Sequence, residues 1–570
     1  MTRSLFTFNG GIHPEGHKAV SNRTPIQAMP LVPRYVVPLR QHIGAPAQPV
    51  VAVGDAVLRG QMIGTADGYV STAVHAPTSG RISAIEARAV PHPSGLFDLT
   101  ICIEADGEDR SIDFQPLNWL QLDPSALRNR IREMGLAGLG GAVFPSFIKL
   151  NPAAQAIHTL IINGAECEPW ITCDDRLMQE RAANIIRGIE IMRHALACRT
   201  VLIGIEDNKP AALAALRAAA PADMEVITVP TRYPGGGGKQ LTYTLTGIET
   251  PSGGRSTDVG IQVFNVGTAY SLYRAVELGE PLISRIVTVT GHVAQPGNFD
   301  VRIGTPLSDL LAAAGGALPN ATGEIVGGPM MGFNLMDSAA PVTKAVNCLI
   351  VKNATLFPAK SIELPCIRCG ACARACPADL QPFELYWYSR AKDFGRTQRY
   401  QLFDCIECGC CSYVCPSHIP LVDYFRFAKS EIWERERDKQ NADQARLRHE
   451  FKTFRLEREK QEKAEKFAKA AEKSREAASG VSVANTANTA NAVVDPDAER
   501  KKAILQAALE RAKKAKEAVT PKNTEQVSAS VQKEIDEIEA RRAALATSVS
   551  STSATSTSVT AADATTRVQK

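Results

Sequence analysis

Between residues 159 and 230 the chain switches repeatedly between two hydrophobic periods. Short apolar runs, Thr159 to Ile162, Thr200 to Ile205 and Glu225 to Val229, alternate with helically spaced stretches, Arg176 to Ala197 and Ala211 to Ala219. That rhythm predicts βαβ units and a parallel sheet, the framework of a nucleotide-binding fold. Upstream, "VVAVGDAVLRGQMIG" and "VHAPTSGRISAIE" alternate apolar and polar residues between turn glycines Gly54, Gly60 and Gly80, which predicts a small β-sandwich. Downstream, Arg285 to Leu311 reads as two strands around a "QPGN" turn followed by a helix. From about Ser430 the pattern changes to long charged helical runs, then to Asn, Thr and Ser repeats. No cysteine follows Cys415 and no aromatic follows Phe467. This tail is expected to form solvated helices and disorder rather than a core.

A length of 570 residues exceeds one hydrophobic core. The expected chain is multidomain α/β: a β-sandwich over 1–115, a Rossmann-like α/β domain over 116–280, a β-rich module over 281–355, a helical cysteine-rich domain over 356–429, and the tail over 430–570. A formal net charge of +4 without an aromatic-interleaved basic patch argues against nucleic acid as a partner. The N-terminus has no apolar h-region, and no run approaches the roughly 18 apolar residues needed to cross a bilayer. The chain is therefore expected to be neither secreted nor integral to a membrane.

Nine of the 14 cysteines lie between Cys366 and Cys415. "CIRCGACARACP" and "CIECGCCSYVCP" both read C-x2-C-x2-C-x3-C-P, the bacterial ferredoxin spacing for [4Fe-4S] clusters. In two-cluster ferredoxins the fourth cysteine of each block ligates the other cluster. The expected ligand sets are Cys366, Cys369, Cys372 and Cys415 for one, and Cys405, Cys408, Cys411 and Cys376 for the other. Zinc or a disulfide framework is the structural alternative, although zinc sites usually separate their C-x-x-C pairs more widely. Cys410, Cys102, Cys198 and Cys348 are expected to be packing residues. The 28 residues between the blocks carry helix-like spacing and turn signals, hence a helical dicluster domain.

Two glycine runs, "GLAGLGGAVFPSFIK" (Gly135 to Lys149) and "YPGGGGKQL" (Tyr233 to Leu241), flank "TLIINGAECEPW" (Thr159 to Trp170). Glycines let backbone N–H groups approach a phosphate or a flavin ring, and a nearby lysine can neutralise phosphate charge. Neither run completes a dinucleotide fingerprint or a Walker A motif, so turns remain the alternative reading of both.

"GLGGAVFPSFIK", "NGAECEP" and "FNVGT" resemble the flavin and NADH site of the flavin-bearing subunit of respiratory complex I. Together with the N-terminal and cysteine blocks, residues 1 to about 430 resemble the C subunit of the Rnf/Rsx ion-translocating electron transport complex. The resemblance implies non-covalent FMN held by Gly138, Gly140, Gly141, Lys149, Asn163, Glu166, Asn265 and Thr268, with Phe144 and Glu168 facing NADH. The bland alternatives are Phe144 as core and Glu168 as a solvated charge. The chain departs from the complex I pattern at Ala165 and at the pair Gly237 and Gly238, where acidic residues are usual, and Lys239 adds a positive charge there. The sandwich resembles a barrel-sandwich lipoyl or biotinyl carrier, but its loop "GYVSTAVHAP" offers no lysine to modify, so it is expected to be structural, with His75 at a turn or interface. Residues 281–355 resemble the β-grasp (SLBB-like) module of complex I, and the two methionines of "GGPMMG" (Gly327 to Gly332) are expected to pack in a core.

Three functions follow. The first is a peripheral electron-transfer subunit passing electrons between NADH, FMN and two [4Fe-4S] clusters. The resemblance adds other subunits of the membrane complex and a ferredoxin-like carrier as partners, the cytoplasmic face of the bacterial inner membrane as location, and membrane association through those subunits. The second is a cluster-bearing scaffold or electron wire that does not itself bind NADH. The third is a soluble flavin oxidoreductase, for which no convergent acid–base constellation is visible.

Overall fold

The computed structural model describes residues 3–151, 156–359 and 361–479, with five further positions, Ala503, Gln506, Ala507, Glu510 and Arg511. The disorder expected of the Asn-, Thr- and Ser-rich tail lies outside the described residues. The chain divides into two units, 1–449 and 450–570.

The parallel sheet forms as the alternation predicts. Its strands run in the order Met224–Val229, Thr200–Glu206, Thr159–Gly164, Ile261–Asn265, all parallel. The central strand is buried over Leu160, Ile161 and Ile162, because helices cover a parallel sheet on both faces. The helical pattern expected from Arg176 to Ala197 is two helices, Cys173–Glu180 and Ala182–Leu196, broken at Arg181, whose φ of −128° and ψ of 28° leave the helical region. Their apolar faces, Leu177, Met178, Ile185, Ile189 and Met192, join one core with the helix Val266–Glu277.

The N-terminal module is a sandwich of a four-stranded sheet (Arg34–Pro38, Phe97–Ala105, Gly80–Ala89, Ala56–Val57) and a three-stranded one (Gln48–Pro49, Met62–Thr65, Val74–His75). Tyr35, Val37, Ile63, Val74, Ile82, Ile101 and Ile103 fill it. Gly60 is required at its turn: φ is 84°, and a Cβ there would lie 2.5 Å from the Phe114 ring. Residues before this sandwich do not belong to it. Gln27–Ala28 adds a parallel edge strand to Gly297–Arg302, and Gly11 and Ile12 hydrogen-bond to Ala375 and Tyr233.

The "QPGN" turn joins Ser284–Gly291 to Gly297–Arg302 as an antiparallel hairpin, and the helix Leu307–Ala313 follows. With the edge strand Gln27–Ala28 and with Ala321–Val326, Phe333–Asn334 and Cys348–Asn353, the two hairpin strands make a six-stranded mixed sheet. The cysteine-rich module is helical (Ala371–Ala375, Pro382–Arg390, Phe394–Arg399, Cys410–Tyr413) and leads into the helix Leu421–Ser479. In the second unit that helix carries exposed i,i+4 ion pairs, Arg455–Glu459 at 3.5 Å and Arg458–Glu462 at 3.4 Å, a solvated charged surface. Among the described residues no helix is long and apolar enough to cross a membrane.

Candidate functional site

Strand order reverses between Thr159–Gly164 and Ile261–Asn265. Open α/β sheets take ligands at the carboxyl ends of strands flanking such a reversal. A cavity of about 760 Å3, open to solvent, lies at this point, and Gly138, Gly140, Phe144, Lys149, Asn163, Asn265 and Thr268 line it. Gly141, Glu166 and Glu168 are not part of its wall.

Three of the polar lining residues also hold the fold. Asn265 caps the helix Val266–Glu277, its Oδ1 accepting from the N–H groups of Gly267 (2.8 Å) and Thr268 (3.3 Å), while its Nδ2 donates to Asp174 (2.6 Å). Thr268 Oγ1 accepts from the Leu139 N–H at 2.9 Å and so pins the first glycine loop. Asn163 Nδ2 donates to the Gly236 carbonyl at 2.7 Å, tying the second glycine loop to the central strand.

Lys149 has a different character. Its Nζ donates to the Val263 carbonyl and sits 4.3 Å from the centre of the Phe264 ring, and no carboxylate pairs with it among the described residues. Burial pushes its amine down to about 8. A half-buried cation with donors to spare on a cavity wall suits an anionic group such as a phosphate. Lys239 also lines the cavity and pairs with Asp404 of the cysteine-rich module at 3.6 Å.

The two glutamates turn elsewhere. Glu166 is held with φ of 48°; its Oε1 accepts from the Asp174 N–H (2.7 Å), and its buried Oε2 has no hydrogen-bond partner. Burial pushes this carboxyl up to about 8, against the pull of Lys18 at 3.8 Å. Glu168, expected to face the nicotinamide nucleotide, instead accepts the backbone N–H groups of Met330 (2.8 Å) and Met331 (3.1 Å). The close packing of "GGPMMG" on Glu168 explains the change: a Cβ at Gly328 would lie 2.0 Å from its Cγ. Met330 accordingly packs against the cluster of Tyr233, Cys408 and Cys410, whereas Met331 is exposed, so core packing holds for one methionine of the two.

The eight motif cysteines surround two cavities. Cys366, Cys369, Cys372 and Cys415 line one; Cys376, Cys405, Cys408 and Cys411 line the other. Each therefore takes three thiols from one block and the fourth from the other. Among the described residues no three Cys, His, Asp or Glu side chains converge on a point that could hold a single metal ion. Thiols spaced around a cavity suit a multi-iron cluster better than a zinc ion, which needs each sulfur about 2.3 Å from one centre. Burial pushes the Cys405 thiol up to about 11 and raises Cys372 and Cys376 as well. Cys410 is buried outside both linings, and Cys102, Cys198 and Cys348 are core residues.

Several contributors were invisible in the motifs. Lys18, some 150 residues away in the chain, donates to the carbonyls of Glu166 (2.8 Å), Glu168 (2.9 Å) and Ile171 (2.6 Å), holding the "NGAECEPW" loop. Ile43 and Tyr69 of the sandwich line the large cavity. His75 is buried in the strand Val74–His75, and burial, with Lys344 adding to it, pushes its imidazole down to about 3. A lysine in an irregular N-terminal stretch carries no periodic or motif signal that would have found it.

Comparison with known proteins adds four family matches: an RnfC barrel sandwich hybrid domain over 6–108, a Nuo51 FMN-binding domain over 131–274, an SLBB domain over 286–334 and a 4Fe-4S dicluster domain over 365–419. A protein of Haemophilus influenzae (strain 86-028NP), named as the C subunit of an ion-translocating oxidoreductase complex, is 47% identical over 459 residues, covering 80% of this chain and 69% of the relative. One of the same name from Citrobacter koseri is 50% identical, covering 80% of this chain and 65% of the relative. Among solved structures, an NAD+-reducing [NiFe]-hydrogenase in the H2-reduced state aligns with 54% of this chain and 65% of its own, at 19% identity and a TM-score of 0.40.

Proposed function

Since the chain belongs to the family of C subunits of ion-translocating oxidoreductase complexes, we propose that it is the electron-entry subunit of such a complex, taking electrons from NADH and passing them to partner subunits or a ferredoxin-like carrier. Bound FMN supplies the conversion between a hydride and single electrons, and two bound [4Fe-4S] clusters supply one-electron carriage. The single observation that carries this reading is the pairing of a large cavity at the sheet's reversal point with two four-cysteine cavities in the adjoining module.

Lys149 would bind the flavin phosphate, and the backbone at Gly138 and Gly140 would let the ring approach closely. Asn163, Asn265 and Thr268 would orient it, and Phe144 would stack on the nucleotide. Gly141 and Glu166 would act by shaping the surrounding loops. The cavity of Cys376, Cys405, Cys408 and Cys411 would hold the cluster nearer the flavin: Tyr233, Gln240 and Lys239 of the flavin domain all contact its loops or flank. The cavity with the exposed Cys369 would hold the outer one. The module boundaries would fall near residues 115, 280, 355 and 429, and the protein would sit on the cytoplasmic face of the inner membrane through its partners.

The engagement of Glu168 with Met330 and Met331, away from the cavity, favours a second reading, a cluster-bearing wire that does not bind NADH. An anaerobic NADH titration of the cluster-loaded chain, following flavin absorbance and reduced-cluster electron paramagnetic resonance together, separates the two. Flavin bleaching and cluster reduction at substoichiometric NADH support the first. Flavin that stays oxidised with NADH while dithionite reduces every centre sinks it in favour of the second.

A further inference from the structure

One short segment links the wall of the large cavity to the loop of the nearer cysteine cavity. Tyr233 is 3% exposed, and its hydroxyl donates to the Cys408 carbonyl at 2.6 Å. Its backbone exchanges hydrogen bonds with Ile12 at 2.8 and 2.9 Å, so its position is fixed by the N-terminal segment as well as by the cysteine loop. Three residues on, Gly236 lines the large cavity, accepts from Asn163 (2.7 Å) and donates to Cys167 Sγ (3.3 Å). One four-residue segment thus has one end in the pocket wall and the other on the loop of Cys405, Cys408 and Cys411.

We propose that Tyr233 is a positioning residue for the nearer cluster: by donating to the Cys408 carbonyl, its hydroxyl raises the reduction potential of that cluster and holds its loop against the flavin pocket. The inference rests on the electron-transfer reading above. Cluster potentials follow the hydrogen bonds and dipoles around the ligating loop, and a donor directed at that loop puts partial positive charge where the reduced state gains negative charge. Simple core packing would require only the ring.

Tyr233→Phe keeps the ring and removes the donor. The test is an anaerobic potentiometric titration of the full cluster-loaded chain, read by electron paramagnetic resonance, on the wild type, Tyr233→Phe and a control, Tyr424→Phe, whose hydroxyl serves Glu363 instead. The expected result is a lower midpoint for one cluster signal in Tyr233→Phe, with the other signal, iron content and melting temperature unchanged and Tyr424→Phe matching wild type. Should the Phe variant fail to load iron, difluorotyrosine at position 233, a stronger donor, is read instead and should move the same signal upward. Wild-type midpoints for both signals, or an equal shift in both, overturn the inference alone. A wild-type chain that takes up no clusters overturns the functional reading with it.

Discussion

Asn163 and Asn265 are register partners on neighbouring parallel strands, at the carboxyl ends where the strand order reverses. Both side chains are engaged by neighbouring elements, Asn163 by Gly236 of the second glycine run and Asn265 by Asp174 of the helix Cys173–Glu180, which fixes the pocket floor. Gly140 packs directly on it: a Cβ there would meet the Asn265 Cβ at 2.9 Å. Gly140→Ala should displace the Asn265 amide and lower flavin retention with little loss of fold. Flavin-to-protein ratio after gel filtration, read beside a thermal melt, checks this; full flavin content would show the glycine is not needed for approach.

Lys149→Ala should weaken flavin binding about 10- to 100-fold, the ~1.5–3 kcal/mol of a hydrogen bond to a charged group. The pH dependence has a definite sign. The free-site amine loses its proton near 8, and a bound phosphate would raise that value. Wild-type affinity should therefore fall as pH rises above 8, whereas Lys149→Ala should lack that fall. Isothermal titration with FMN across this range decides it, and parallel profiles would remove Lys149 from the phosphate site.

The two cysteine cavities predict a crossed pattern of loss. Cys376→Ser should abolish the same cluster signal as Cys408→Ser, and Cys415→Ser the same as Cys369→Ser, each leaving the other signal. Iron content with quantified electron paramagnetic resonance is the measurement. If Cys376→Ser instead matches Cys369→Ser, each block serves its own cluster.

Glu166 is a buried carboxyl pushed up to about 8 from its ordinary value of 4.5, so the native state holds a proton that the unfolded chain releases earlier. Stability from this group is full below about 4.5 and declines as pH rises toward 8. Glu166→Gln should flatten that decline in a denaturation series at several pH values; an unchanged slope would mean the carboxylate stays ionised when buried.

Lys18→Met should cost about 2–4 kcal/mol, since three carbonyls of the "NGAECEPW" loop lose a charged donor together. A lower denaturation midpoint accompanied by weaker flavin binding is expected. A midpoint within error of wild type would mean that water replaces the ammonium.

What depends on neighbours along the chain was readable before any coordinates. The βαβ alternation is local, so the sheet was legible in it, and the C-x2-C-x2-C-x3-C-P spacing brings three thiols onto one short loop whatever surrounds it. Even the break at Arg181 is a local backbone event, missed only because both helices share an apolar period. Where long-range partners fall came from packing alone. Whether Glu168 faces a nucleotide or the amides of Met330 and Met331 depends on a loop 162 residues further on. Whether the Glu166 loop is tied down depends on Lys18, and whether Tyr233 is core or contact depends on Cys408, 175 residues away. A buried polar group must find a partner, but nothing in its own neighbourhood names which distant donor packing will deliver.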